Sequence, residues 1–253
     1  MVSTEFNLSG KTALVAGDGR FWGKYVMVAL AEAGANVVIA VKSSKELEEG
    51  AEEVRRLGRK AVAIPTDVTK SSQVQKMLEQ AITEFGRIDI LVNATDLQFA
   101  KPFLEVTEDE WHRVMEANLD SIFLCCQAIG KHMLKHKKGR IINITSCLAE
   151  RGVINGAAYC VAMGGVVQLT RVLALEWARE GITVNAIGAG WFSEMVETGV
   201  LQEEESRLLR FIPLKRYGHP SEIGSLVVYL SSDATDFFTG QFLYVDGAVM
   251  AHA

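Results

Sequence analysis

Short apolar runs alternate with helically spaced apolar positions along nearly the whole chain. Near-continuous apolar runs at residues 12–16, 37–41, 61–64, 88–92, 140–145, 182–187 and 241–245 predict buried strands. Between them, apolar residues recur at helical spacing over 24–33, 45–57, 72–85, 108–136, 157–180 and 222–230. Gly34 and Gly58 follow two of these segments as stop signals. Strands that are apolar on both faces and alternate with helices predict a parallel sheet covered on both sides. Right-handed crossovers make that an α/β, doubly wound, Rossmann-like architecture. With four prolines and no Ser/Gly-rich linker, the whole span 1–253 reads as a single domain. The region 191–211 lacks strand signals and follows a strand's carboxyl end, which makes it a lid or partner-contact candidate.

The 253 residues suffice for a deep core, and nearly half are apolar. A net charge of −5 without a long basic run argues against nucleic-acid binding. No stretch approaches 18 uninterrupted apolar residues and no signal-like start is present, so neither a membrane span nor export is expected. Cys125, Cys126, Cys147 and Cys160 show no metal spacing and read as reduced thiols of a cytoplasmic protein. His132 and His136 have an i, i+4 spacing but sit among lysines, so a solvated helix end is expected rather than a metal site.

The chemistry-bearing segment runs from Ser146 to Tyr159 and on to Met163. A hydroxyl thirteen residues ahead of a phenol could polarise a carbonyl and pass it a proton. Leu91-Val92-Asn93, Asn118, Ser146, Tyr159, Val184-Asn185-Ala186, Thr239-Gly240-Gln241 and Val245-Asp246-Gly247 stand in an order and at spacings that resemble the short-chain dehydrogenase/reductase family. That resemblance implies Tyr159 as general acid/base, Ser146 as the group that holds the carbonyl, and Asn118 as support for a water relay. For cofactor contact it implies Gly17, Gly23, Lys42, Asp67 and Asn93. Lys42, with no acidic residue beside it, favours NADP over NAD.

The chain departs from the family pattern in three places. Met163 stands where the family has a lysine that lowers the tyrosine pKa. Lowering a phenol by about three units from ~10 takes roughly 4 kcal/mol, which a thioether does not supply. Phe21 replaces the middle glycine of the phosphate turn, with Asp18 beside it, although Gly19 offers a shifted turn. Asp96 replaces a glycine where the cofactor ribose approaches. These departures predict a degenerate member that binds no cofactor, a non-catalytic subunit paired with an active paralogue. It resembles in this the paired-subunit hydroxyacyl-CoA dehydrogenase of the benzylsuccinate route. Two alternatives stand beside it. One is an active NAD(P)-dependent oxidoreductase using Ser146 and Tyr159 without the lysine. The other is a non-catalytic ligand-binding or regulatory protein on the same fold. Homo-oligomerisation is the expectation if no paralogue pairs with it.

Overall fold

The computed structural model describes residues 4–17, 22–42, 44–197 and 205–251. Seven strands form one parallel sheet: β1 (Thr12–Gly17), β2 (Asn36–Ala40), β3 (Ala61–Ala63), β4 (Ile90–Ala94), β5 (Gly139–Ser146), β6 (Ile182–Ala189) and β7 (Phe242–Val245). Their order is β3-β2-β1-β4-β5-β6-β7, with every pair parallel. The helices are α1 (Gly23–Glu32), α2 (Ser44–Arg56), α3 (Ser71–Phe85), α4 (Glu108–Met115), α5 (Ser121–His136), α6 (Ala157–Trp177), α7 (Ser193–Glu197), α8 (Glu205–Phe211) and α9 (Ser221–Ser231).

Successive strand side chains point to opposite faces, and the core divides accordingly. Ala13 and Val15 of β1 pack with α1 and α9 residues such as Val26, Leu30 and Val227. Leu14 and Ala16 pack on the other face with Met77, Cys125 and Ile129 from α3 and α5. The strand order reverses between β1 and β4, so their carboxyl ends open the crevice in which such sheets bind ligands. There Gly17 approaches β4 closely: a Cβ on it would lie 2.5 Å from the Ala94 carbonyl oxygen.

Two expectations need correction. The long helix over 108–136 is broken by a π turn, Glu116–Asp120, between α4 and α5. Ser121 Oγ donates to the Ala117 carbonyl at 2.7 Å, and the Asn118 amide is drawn to Leu97, so the helical ladder yields there. His132 is buried rather than solvated: its Nε2 accepts the Ile88 N–H at 3.3 Å, and burial lowers its pKa. Among the described residues, one helical stretch, Ala157–Glu180, is long and apolar enough to cross a membrane. It packs on β5 and β6, burying Val166, Val167 and Ala174.

Candidate active site

β5 ends at Ser146, which caps the next 3-10 turn: its Oγ accepts the Leu148 N–H at 3.2 Å. Tyr159 lies in the first turn of α6, 7% exposed, and lines the same cleft as Ser146. The phenol O–H donates to Asp96 Oδ1 at 2.8 Å. Asp96 follows the carboxyl end of β4 and is 6% exposed. The Leu148 amide donates to Ser146, and Tyr159 donates to Asp96. Burial first, and the Asp96 carboxylate second, push the Tyr159 phenol well above its ordinary pKa, while the Ser146 bond opposes the rise.

One helical turn beyond Tyr159, Met163 is 1% exposed. Its Sδ accepts from Thr145 Oγ1 at 3.1 Å. Asn118, fully buried, holds the loop after Asp96 from both sides: its Oδ1 accepts the Leu97 N–H at 2.7 Å and its Nδ2 donates to the Leu97 carbonyl at 2.9 Å. The predicted trio of Ser146, Tyr159 and Asn118 therefore gathers at one place, with Asn118 acting through the loop rather than directly.

Asp96, Ser146 and Tyr159 line a cleft of about 750 Å³. Its other walls include Phe99, Val153, Ile154, Trp191 and Met195. Trp22 seals the end near α1, packing edge-on against Phe192 with ring centroids 4.7 Å apart. Among the described lining residues there is no lysine, arginine or histidine. Cys147 also lines the cleft, but burial and Asp246 push its thiol up to about 12, so it is no nucleophile near neutral pH.

The predicted cofactor residues divide into two groups. Gly17 stands at the crevice, and Gly23 opens α1, whose first turn holds neither a side-chain cap nor an acidic residue. That leaves a helix start suited to an anion. Lys42 follows β2 and pairs with Asp67 at 2.9 Å. Asp67 is not a helix cap. Its Oδ1 accepts from the Thr69 amide and hydroxyl, and Lys70 is the N-cap of α3. Although burial tends to raise the Asp67 carboxyl, the bonds from Thr69 and Lys42 hold it below its ordinary value. Asn93 points instead to the sheet face covered by α5 and α6, its Nδ2 donating to Asn143 Oδ1 at 2.8 Å, and Asn143 bonds on to Thr170. Asp18, Gly19 and Phe21 lie outside the described residues.

The sequence reading named Asp96 as an intruder on the ribose and missed it as the partner of Tyr159. It also missed Trp22, Phe99 and Met195 as cleft walls. A bulky aromatic directly before Gly23 was the available signal for Trp22.

The family profile described as "Enoyl-(Acyl carrier protein) reductase" matches residues 23–249. The chain is 34% identical to 3-oxoacyl-[acyl-carrier-protein] reductase FabG of Staphylococcus epidermidis, over 94% of this chain and 98% of that one. It is 36% identical to 2-dehydro-3-deoxy-D-gluconate 5-dehydrogenase of Escherichia coli K12, over 99% of this chain and 100% of that one. A crystal structure of gluconate 5-dehydrogenase from Burkholderia cenocepacia J2315, in complex with NADP and tartrate, superposes with a TM-score of 0.92 at 33% identity. That match covers 98% of each chain. These full-length relatives are named as a reductase and dehydrogenases. They overturn the expectation of a degenerate, non-catalytic subunit drawn from Met163, Phe21 and Asp96. The chain belongs to the short-chain dehydrogenase/reductase family.

Proposed function

We propose that this chain is an active NAD(P)-dependent oxidoreductase that interconverts an alcohol and its carbonyl compound, using Ser146 and Tyr159 without a lysine. The observation that carries this reading is the convergence of the Ser146 and Tyr159 hydroxyls on one substrate-sized cleft. Ser146 accepts from the Leu148 amide and so directs its own proton toward a substrate oxygen. Tyr159 exchanges a proton with that oxygen, and Asn118 fixes the loop that carries Asp96.

The residues present fit a dinucleotide. Gly17 and the start of α1 at Gly23 would receive the diphosphate. Asp67 is an acceptor for the adenine amine. Lys42, 60% exposed on its side chain, would reach a ribose phosphate and favours NADP over NAD. When bound, the nicotinamide supplies or removes the hydride. The cleft's largely apolar walls and the absence of a cation among its described lining residues favour a neutral, partly apolar substrate over a sugar acid.

The test is a substrate panel on the purified chain with NADP and NAD, following absorbance at 340 nm. 1-Phenylethanol, 2-octanol, acetophenone and cyclohexanone represent neutral substrates, and gluconate the acids. The reading expects turnover of a neutral member, faster with NADP. Turnover of gluconate alone would remove the substrate class, and failure with every member, together with no NADPH binding by fluorescence, would remove the function.

A further inference from the structure

Tyr159 meets a carboxylate where a neighbouring ammonium would ordinarily tune it. From this geometry we infer that Tyr159 and Asp96 form a two-residue proton relay, in which Asp96 rather than a tyrosinate is the terminal proton acceptor during alcohol oxidation. The inference rests on the oxidoreductase reading above and deepens it.

Tyr159 donates to Asp96 Oδ1 at 2.8 Å, so the phenol proton already points toward the carboxylate. A buried phenol facing a carboxylate is not ionised near neutral pH. It therefore acts as a base only by passing on its own proton as it takes another, and Asp96 stands in position to receive it. As the substrate C–H bond breaks with its electron pair leaving to an oxidised nicotinamide dinucleotide, the substrate O–H proton moves to the Tyr159 oxygen. The Tyr159 proton moves in concert to Asp96 Oδ1. The carbonyl forms, Tyr159 is neutral before and after, and Asp96 ends protonated. Carbonyl reduction runs the same path backward and starts from protonated Asp96.

Among the described residues, the groups beside Asp96 include Tyr159 from α6, Ser146 and Cys147 from β5 and the turn after it, and from its own loop Gln98, whose Nε2 lies 3.5 Å from Asp96 Oδ2. Cys147, held near 12, does not titrate in the working range. Met163 takes no part, since its sulfur is engaged by Thr145.

The test compares wild type, Asp96→Asn and Asp96→Glu with 1-phenylethanol and NADP. General acid–base groups contribute about 10²–10⁴-fold, so Asp96→Asn should lower kcat for oxidation at least about 100-fold with little change in KM. It should also abolish the acid limb of the pH profile, while Asp96→Glu restores part of the rate. A second readout needs no turnover: ¹³Cζ-tyrosine NMR, with the Tyr159 signal assigned by Tyr159→Phe. The relay expects Tyr159 to remain a phenol in wild type through alkaline pH and to titrate lower in Asp96→Asn. Wild-type rate and pH profile in Asp96→Asn, or a Tyr159 titration indifferent to Asp96, would overturn the relay and leave the oxidoreductase reading standing. Failure of NADPH binding and of turnover in wild type would remove that reading, and the NMR titration would still decide the pairing.

Discussion

Met163 turns its sulfur to the Thr145 hydroxyl, 3.1 Å away, instead of lining the cleft where Tyr159 and Asp96 meet. The side chain that replaces the family's lysine has thus become part of the packing between α6 and β5. The charge that faces the phenol comes from the opposite side of the crevice and has the opposite sign.

Met163→Ala should therefore behave as a core deletion. Truncating a fully buried methionine costs about 2–5 kcal/mol. Urea denaturation should show that loss, while kcat for alcohol oxidation changes less than about tenfold. A larger fall in kcat with unchanged stability would place Met163 in the chemistry.

Asn118→Ala removes both bonds that hold Leu97. Leaving partly buried backbone groups unpaired costs about 1–3 kcal/mol. The loop carrying Asp96 is freed as well, so activity should fall more than stability alone explains. Kinetics at a temperature where the variant is fully folded separate the two effects.

Gly17→Ala forces a Cβ to within 2.5 Å of the Ala94 carbonyl, so β1 and β4 must separate at the crevice. Overpacking of this kind costs about 1–3 kcal/mol. NADPH fluorescence titration should show weakened binding alongside the lowered midpoint.

The raised pKa of Tyr159 has a signed consequence for stability. The folded chain holds the phenol proton more tightly than the unfolded chain, where tyrosine titrates near ~10. That contribution is complete below pH ~10 and is lost as pH rises toward the folded value. Tyr244, raised by burial and by Glu150, acts in the same direction. Urea midpoints measured between about pH 9 and 11 should fall with pH, and Tyr159→Phe should flatten part of the slope.

Much of the fold was legible because its strands are buried on both faces. Runs such as Leu14-Val15-Ala16 and Ile141-Ile142 carry that signal without any partner in view. The break at Asn118 was not legible, since apolar periodicity continues across it and the cause is a bond to Leu97, twenty-one positions away. His132 was misjudged for the same kind of reason: flanking lysines look solvated, but its acceptor role toward Ile88 depends on the α5–β4 side of the sheet. Ser146 and Tyr159 were found by spacing. The pairing of Tyr159 with Asp96 spans 63 positions and exists only because β4 lies beside β5, so the family pattern registered the carboxylate as an obstacle rather than a partner.

The most direct test is single-turnover oxidation of 1-phenylethanol by the purified chain alone with NADP, wild type against Tyr159→Phe, both shown by fluorescence to bind NADPH. The account predicts NADPH formation at 340 nm in wild type and a loss of at least about 100-fold in the variant. Equal rates in the two proteins, or none in a wild type that binds NADPH and is offered the full panel of alcohols, would contradict it.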